Sequence, residues 1–430
     1  MQRDPQLDQA AADDAPQHPR QRSGNRLVVA AVVVLAVVLG MAGCVRYADD
    51  VRESVATVVA DEPMVVGDRT VLDNLWRVYT ENYLEEGTGR TLDPQLGNIT
   101  TSEGQSYTMM RAVWSDDLAT FTSSWQWTKD NLQRPDSLMS WKFGERPDGS
   151  YGIQTDVGGQ NTASDADSDI AFALLMAYSR WKQDVFLYDA LPIIDSIWEK
   201  EVVEVDGAPV LVANDLERIK AGEVLVNPSY FSPYAYRVFA RVDPDADHDW
   251  AALVDNSYAV LQDLAQDPLD VDRAAGLTPD WVFIDRETGE PSAVSDTLTT
   301  NFSYDALRLP WRLALDLRWH DEPRARELLE QHSVLAEQWT ADRQLVAGYR
   351  HDGTPAVDYE APAMYGGAMG YFDMVEPELA EQVYAEELLP VYDADTGNLA
   401  QQLGYYDSNW VWFGMALHLG ALPDLTVTDG

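Results

Sequence analysis

Three short motifs carry the side chains best suited to chemistry, and all three are acidic. Glu103 lies in the run TSEGQSY, Asp165 opens a segment with two further aspartates, and Asp305 precedes Arg308 by three residues. Two carboxyl groups that flank a glycosidic bond can hydrolyse it, because one donates a proton and the other acts as base or nucleophile. Carboxylates are therefore the candidate catalytic groups.

Each motif also has a purely structural explanation. Ser102 as N-cap, with Gln105 three residues later, makes a capping box, and the helix dipole favours an acid such as Glu103 in the first turn. Asp305 and Arg308, at i and i+3, are spaced for an ion pair on one helix face. The three aspartates of the middle motif crowd one turn, and a fold tolerates that repulsion mainly where at least one of them is buried and paired or catalytic.

The predicted secondary structure brings the motifs together. Amphipathic segments with apolar residues at i, i+3 and i+4 recur about a dozen times between residues 69 and 419, and strand-like stretches are confined to 202–212 and 281–284. About twelve helices in one compact chain suit a toroid of six helical hairpins, whose inner helices begin at one end. Each acid stands at a predicted helix start, so the three are expected to converge there.

Aromatic side chains near the acids are candidates for stacking on sugar rings. They are Trp141, Tyr151, Tyr230 and Tyr304. Taken singly, each is more typical of a core residue. Two long polar segments, 145–162 and 266–301, are predicted to be rim loops that wall a cleft.

Composition and charge exclude several other classes of function. The 430 residues include 72 acidic and 30 basic side chains, a formal charge of −42, and this field repels nucleic acid and anionic membrane surfaces. The single cysteine excludes an intrachain disulfide and a cysteine-based zinc site, and the 6 histidines show no paired ligand spacing. We therefore expect no metal, no cofactor and no nucleic-acid partner.

An apolar segment lies near the N-terminus. Residues 27–45 are 19 positions without a charge, about the length that crosses a bilayer core, and they follow a polar tail that ends in three arginines. The positive-inside rule leaves the tail in the cytoplasm and the rest of the chain outside. An uncleaved single-pass anchor is favoured, and a lipoprotein acylated at Cys44 and a cleaved secretory signal stay open.

Several runs resemble the signature of glycoside hydrolase family 8, formerly family D of the cellulases. The run ASDADSDIAFALLMAYSRW, which begins at Ala163, is similar to that signature position for position. TSEGQSY, NPSYF from Asn227 and YDALRLPWR from Tyr304 resemble the family's other landmarks in the expected order, over about residues 68–424. The resemblance implies an all-α (α/α)6 barrel and inverting hydrolysis of β-1,4-linked glucan, xylan or chitosan by a single displacement.

The resemblance also implies roles for the residues that match these motifs. Glu103 is the general acid, Asp305 the base that activates water, and Asp165 the residue that holds the sugar at the cleavage subsite. Tyr230 and Arg308 match positions around the water and the base.

Two further aromatic residues are expected to contact substrate. Trp141 falls near a stacking position of the family, and Tyr304 precedes Asp305 directly. One departure is that TSEGQSY usually continues with Gly-Met and here continues with Thr108 and Met109. The extra Cβ is expected to narrow the helix packing without contacting a carboxylate.

The two catalytic carboxyl groups have opposite requirements. Glu103 must hold its proton near neutral pH, so burial and an ionised Asp165 are expected to raise its pKa. Asp305 must leave room for a water, so its carboxyl is expected about 6.5 to 9.5 Å from that of Glu103.

The expected organisation is a cytoplasmic tail (1–26), an anchor or signal (27–45), a stalk (46–67), the barrel (68–424) and a C-terminal tail (425–430). The expected function is a cell-surface endo-β-1,4-glucanase that either scavenges external polysaccharide or trims an exported glucan beside a polysaccharide synthase. A xylanase or chitosanase of the same family stays open, as does a catalytically silent polysaccharide-binding protein.

Overall fold

Thirteen α-helices frame the part of the chain that the computed structural model describes, residues 69–295 and 297–426. In chain order they are α1 (Arg69–Tyr83), α2 (Ser102–Trp114), α3 (Leu118–Asn131), α4 (Ser164–Trp181), α5 (Asp184–Glu201), α6 (Pro233–Val242), α7 (Trp250–Leu264), α8 (Arg308–His320), α9 (Pro323–Glu330), α10 (Ser333–Asp342), α11 (Pro362–Val375), α12 (Pro377–Val383) and α13 (Tyr405–His418). The prediction of a mainly helical chain is confirmed.

Short antiparallel strands connect the helices at the rim. They are β1 (Thr100–Thr101), β2 (Lys142–Glu145), β3 (Tyr151–Ile153), β4 (Val202–Val205), β5 (Ala208–Leu211), β6 (Glu223–Val226), β7 (Val282–Asp285), β8 (Pro291–Ala293), β9 (Tyr392–Asp393) and β10 (Asn398–Leu399). They form the three-stranded sheets β1-β2-β3 and β6-β7-β8 and the hairpins β4-β5 and β9-β10. The two predicted strand regions are confirmed by β4, β5 and β7. The two predicted rim segments contain two strands that were not predicted, β3 in 145–162 and β8 in 266–301, and β7 is the strand predicted over 281–284.

Six helices form an inner ring whose side chains are buried along most of their length. They are α2, α4, α6, α8, α11 and α13, and each contacts the next in this order. The ring of helices closes between α13 and α2. There the aromatic side chains of Tyr107 and Trp410 pack edge to face, with their centroids 5.9 Å apart. Each inner helix also packs against an outer one, so the described helices build a two-layered barrel.

Glycines allow α11 to pack closely against both of its neighbours in the ring. A Cβ on Gly366 would lie 2.0 Å from the carbonyl oxygen of Trp410 on α13, and one on Gly370 would lie 2.1 Å from that of Pro310 on α8. Separations this short are smaller than any real carbon contact, so only glycine fits at either position.

The amphipathic period of the sequence predicts one helix over 228–240 and one over 321–338, and the structure corrects both. The helix predicted over 228–240 begins at Pro233, since proline lacks the N–H that a first-turn residue leaves unbonded and it disfavours helical backbone in the residue before it. The helix predicted over 321–338 is two helices, α9 and α10, because the chain turns at His332. The imidazole of His332 is buried against Phe302, and the two ring centroids are 5.7 Å apart.

The predicted tail (1–26), anchor or signal (27–45) with Cys44, and stalk (46–67) lie outside the described residues. The boundaries of the catalytic domain stay predictions, and its C-terminal tail is described only as far as residue 426. Between residues 69 and 426, no described helix is both long and apolar enough to span a bilayer.

Candidate active site

Glu103 is placed by the first turn of α2. The N-cap is Thr101, whose hydroxyl accepts the backbone N–H of Gly104 at 3.0 Å, so the predicted capping box at Ser102 is wrong by one residue. Gln105 does not cap the helix either, because its amide is fully buried and bonds to the neighbouring helix α3. Glu103 therefore points from the start of an inner helix with no capping role.

All three aspartates at the start of α4 are buried and hydrogen-bonded, where the sequence predicted this of at least one. Asp165 accepts a hydrogen bond from Arg308 at 2.8 Å, and Asp169 binds Arg312 with two bonds of 2.7 Å. Asp167 accepts a backbone N–H from a neighbouring loop at 2.8 Å. Each carboxylate has its own partner, so the repulsion expected from the sequence is offset by burial among donors.

Asp305 lies in a turn just before α8, and the prediction that it starts a helix is wrong. The regular helix begins at Arg308. In the turn before it, the N–H of Leu307 donates to the carbonyl of Ser303 at 2.9 Å, and Asp280 Oδ1 accepts the backbone N–H of Asp305 at 3.2 Å and of Ala306 at 2.7 Å. Pro310 falls within the first turn of α8, where its missing N–H costs no hydrogen bond, so the proline sits at the start of a helix and does not kink one.

Arg308 joins all three predicted acids. Its Nη1 donates to Glu103 Oε2 and to Asp165 Oδ2, each at 2.8 Å, and its Nη2 donates to Asp305 Oδ1 at 2.7 Å. The guanidinium is buried, and its Nε donates to the hydroxyl of Ser229 at 3.1 Å. The convergence of the three carboxylates predicted from the sequence is confirmed, with one arginine at the centre.

Burial raises the pKa of Glu103 to about 7. The cation of Arg308 opposes that rise, and the charges of Asp165 and Asp305 add to it. Burial also raises the pKa of Asp165, again against the attraction of Arg308. The direction of this shift agrees with the expectation for Glu103, with burial as its main cause, and the role of Glu103 as proton donor stays a prediction.

The Asp305 carboxylate has donors on both oxygens. Oδ1 accepts from Arg308 and, at 3.0 Å, from the side-chain amide of Asn227, while Oδ2 accepts the indole N–H of Trp281 at 2.9 Å. The pairing of Val226 with Val282 brings Asn227 and Trp281 out of the same end of the β6-β7-β8 sheet. No sequence motif predicted that Asn227 and Trp281 bind the Asp305 carboxylate.

Tyr230 and Tyr304 both lie at the site. The guanidinium carbon of Arg308 is 5.0 Å from the centre of the Tyr230 ring. The rings of Tyr230 and Trp281 pack edge to face, with their centroids 5.7 Å apart. Tyr304 is 41% exposed at the mouth of a cavity of about 380 Å³. That cavity is lined by Gln95, Glu103, Tyr304, Asp305, Tyr406 and Asp407.

Trp141 reaches the site through its backbone. Its carbonyl oxygen accepts the N–H of Ser102 at 3.0 Å, next to Glu103, while its indole N–H donates to the carbonyl of Gly158 at 3.0 Å. Tyr151 is exposed on β3, and its ring covers the guanidinium of Arg90 at 5.5 Å. The structure thus brings Trp141 beside the acid, and Tyr151 is not among the residues that line the cavity.

A larger cavity, of about 590 Å³, opens beside the β4-β5 hairpin and shares no lining residue with this site. Glu204 and Asp249 line it together with Arg218 and Arg286, whose guanidinium groups bond to backbone carbonyls. Among residues 69–426 as described, no three His, Cys, Asp or Glu side chains are grouped so as to hold a metal ion. The carboxylates around Arg308 are the candidate catalytic groups among the described residues.

Proteins of similar sequence include endoglucanases. A probable endoglucanase from Novacetimonas hansenii is 31% identical over 243 residues, which are 55% of this chain and 64% of that protein. The chain thus matches less than two thirds of that relative's length.

Solved structures share the fold. An endo-1,4-D-glucanase from Vibrio fischeri superposes with a TM-score of 0.67 at 24% identity, over 82% of this chain and 97% of that one. A β-1,3-1,4-glucanase from a Paenibacillus species superposes with a TM-score of 0.69 at 22% identity, over 86% and 96% of the two chains. The family pattern described as glycosyl hydrolases family 8 matches residues 59–348, and the chain belongs to that family.

Proposed function

We propose that the protein is an inverting endo-β-1,4-glucanase. The observation that carries this proposal is the binding of Glu103, Asp165 and Asp305 to the single guanidinium of Arg308 at the open end of the barrel. One arginine fixes an acid and a base relative to each other, which is the arrangement that hydrolysis of a glycosidic bond requires.

Glu103 is the proton donor in this mechanism. With a pKa of about 7, a substantial fraction of its carboxyl groups is protonated near neutral pH and can transfer a proton to the leaving oxygen. Its side chain is 25% exposed and lines the cavity, so a sugar chain bound there reaches it. Asp165 is almost fully buried beside it, and we assign it to holding the sugar at the cleavage subsite.

Asp305 is the base. Its side chain is 33% exposed and lines the same cavity as Glu103, so a water molecule can reach it. The Arg308 guanidinium, 2.7 Å away, holds this carboxylate in place. The separation of about 6.5 to 9.5 Å between the Glu103 and Asp305 carboxyl groups stays a prediction.

The β-1,4-glucan substrate is supported by the names of the relatives, which include a probable endoglucanase and an endo-1,4-D-glucanase. We propose to measure reducing-sugar release from soluble β-1,4-glucan, mixed-linkage β-glucan, xylan and chitosan. The highest rate is expected on the β-1,4-glucan. A highest rate on xylan or chitosan would assign the alternative specificity within the family.

The matched variants are Glu103→Gln and Glu217→Gln. Glu217 is a buried glutamate that lies outside the cavity and accepts a hydrogen bond from Lys220 at 2.7 Å. The Glu217→Gln variant therefore shows what the loss of a buried carboxyl group does when that group is not at the site. Only Glu103→Gln should lower hydrolysis by orders of magnitude while glucan binding persists. Glucan binding by the wild-type chain with no product from any substrate would instead identify a polysaccharide-binding protein and reject the enzyme.

We further propose that residues 27–45 anchor the enzyme, with its barrel outside the cell membrane, and that it trims an exported glucan beside a polysaccharide synthase. The uncharged run of 19 residues after arginines supports the anchor. Full-length protein should sediment with membranes, whereas residues 46–430 should be soluble and active. Fatty-acid labelling that is lost on Cys44→Ala would establish a lipoprotein instead.

A further inference from the structure

We propose that Asp280 and Trp281 are positioning residues for the base, and that they leave one lone pair of Asp305 Oδ2 to bind the attacking water. The inference rests on the proposed role of Asp305. Neither residue lines the cavity with Glu103, so neither is a catalytic residue in this account.

Asp280 holds the backbone that carries the base. It is 1% exposed, and its Oδ1 accepts backbone N–H groups from Ser303 at 3.0 Å, Asp305 at 3.2 Å and Ala306 at 2.7 Å. Its Oδ2 bonds to the hydroxyl of Ser303. A buried carboxylate is costly unless its lone pairs are filled, and here every bond that the side chain accepts comes from the turn that contains Asp305.

Trp281 holds the carboxylate itself. Its indole N–H donates to Asp305 Oδ2 at 2.9 Å, and the edge contact with Tyr230 fixes the plane of the indole. Because Asp280 and Trp281 are consecutive, a single segment fixes both the backbone and the side chain of Asp305.

That segment is itself anchored. The backbone N–H of Asp280 donates to Asn301 at 2.6 Å, and that of Trp281 donates to Thr299 at 3.1 Å. The following residue, Val282, begins the central strand of a three-stranded sheet. A site supported by a sheet is held more accurately than one that depends on a free loop.

The free lone pair follows from counting donors. A carboxylate offers about four lone-pair positions, two on each oxygen. Oδ1 of Asp305 accepts from Arg308 and Asn227, whereas Oδ2, among the described residues, accepts from Trp281 alone and so has fewer donors. The remaining position on Oδ2 is the one available to a water in the cavity, which assigns proton abstraction to Oδ2.

The first test is the pH profile of Trp281→Phe. Removing the N–H donor disfavours the ionised base relative to its protonated form, so the acidic limb of kcat/KM on a soluble β-1,4-glucan should move up by about one pH unit. The value of kcat should fall about tenfold, because proton transfer depends on an accurately placed base. Loss of packing alone would leave the acidic limb in place.

The matched control is Trp339→Phe. Trp339 is a fully buried tryptophan on α10 whose indole N–H has no hydrogen-bond partner among the described residues, so the same truncation removes bulk without removing a bond. Its pH profile should equal that of the wild type. Both variants retain the charged and titratable groups around the base, which are Glu103, Asp280, Tyr230, Arg308 and Tyr406. An acidic limb in Trp281→Phe that stays at the wild-type pH overturns the proposal.

The second test separates positioning from folding. Asp280→Ala should lower kcat by at least about tenfold with KM nearly unchanged, because substrate binding persists while the base is misplaced. Asp280→Asn should restore most of kcat. Burial and the charge of Asp305 raise the pKa of Asp280 to about 7, so a neutral amide with one carbonyl acceptor is a close substitute. A wild-type kcat in Asp280→Ala, or an equal loss in both variants, contradicts the assignment.

Two outcomes keep this inference distinct from the proposed function. A wild-type chain that releases no product from any glucan rejects the enzyme itself. An active wild type whose Trp281→Phe and Asp280→Ala variants match it rejects only the positioning role. Should Asp280→Ala fail to fold, Trp281→Phe decides the proposal, because it removes one N–H and leaves the turn bonded to Asp280.

Discussion

Arg312 binds Asp169 with two hydrogen bonds of 2.7 Å, and this pair repeats the contact between Arg308 and Asp165 one helical turn deeper in the barrel. The spacing is i to i+4 on both α4 and α8, so the two pairs lie on the same faces of neighbouring inner helices. The deeper pair therefore supports the contact that holds the catalytic carboxylates.

The first prediction is that Asp169→Ala destabilises the protein strongly. Removing one partner leaves the buried Arg312 without its carboxylate, and breaking a buried pair in this way costs about 3 to 5 kcal/mol. The control is Asp255→Ala, because Asp255 pairs with Arg324 at an exposed position where the contribution is about 0 to 1 kcal/mol. Denaturant unfolding of both variants measures the difference. Equal losses of unfolding free energy would show that burial of the pair is irrelevant.

The sequence pattern is enough to predict most of the helices and the three acidic residues of the site, because both signals lie within short segments of the chain. The apolar period of α4 and its three aspartates lie within one short segment. Because that segment is buried, each aspartate requires a hydrogen-bond donor. Asp280 gives no comparable signal. Its partners are 23 to 26 residues further along the chain, and only the sheet that carries Trp281 brings them together.

Helix starts near the site were the least predictable feature for a related reason. Sequence periodicity extends α8 back to residue 304, whereas in the structure the residues before Arg308 form a turn. The N–H groups of Asp305 and Ala306 in that turn bond to Asp280, which lies more than twenty residues earlier in the chain and which local periodicity does not reveal. The N-cap of α2 moved by one residue because the hydroxyl of Thr101, and not that of Ser102, reaches Gly104.

The second prediction concerns the alkaline limb of activity. Glu103 must be protonated to act as the acid, and its pKa is about 7, so kcat/KM should fall as the pH rises above about 7. The slope should approach a tenfold loss per pH unit once most of the Glu103 carboxyls are ionised. Glu103→Gln should lower kcat by about 10² to 10⁴ and abolish this limb. A wild-type profile that is flat from pH 7 to 9 would assign the proton donor elsewhere.

The third prediction is that Glu201→Gln reduces the sensitivity of stability to alkaline pH. Asp167 and Glu201 are both fully buried, and burial raises the pKa of each well above its ordinary value, with the charge of Asp167 adding to the rise at Glu201. The folded chain therefore holds protons that the unfolded chain releases, and the free energy of unfolding falls as the pH rises above about 4. The amide supplies an N–H that cannot be lost, so this fall should be smaller.

Thermal unfolding between pH 5 and 9 measures the effect. The control is Glu217→Gln, since Glu217 is buried but already balanced by Lys220. The melting temperature of that control should follow the pH dependence of the wild type. The same alkaline loss of melting temperature in Glu201→Gln and in the wild type would show that the carboxyl pair does not share a proton.

The last prediction is stereochemical and tests the assignment of Asp305 as a base. A base that acts through water inverts the anomeric centre, so a β-linked glucan should first release the α-anomer, and no covalent glycosyl-enzyme should accumulate. Proton NMR in the first minutes of reaction, before mutarotation equalises the anomers, reports the configuration. Asp305→Ala should be nearly inactive, and added azide should restore turnover only with an inverted product, because the anion takes the place of the water. An initial β-anomer would reject the inverting mechanism. Wild-type turnover in Asp305→Ala would move the base to another carboxylate, for which Asp165, held by the same arginine, is the nearest candidate.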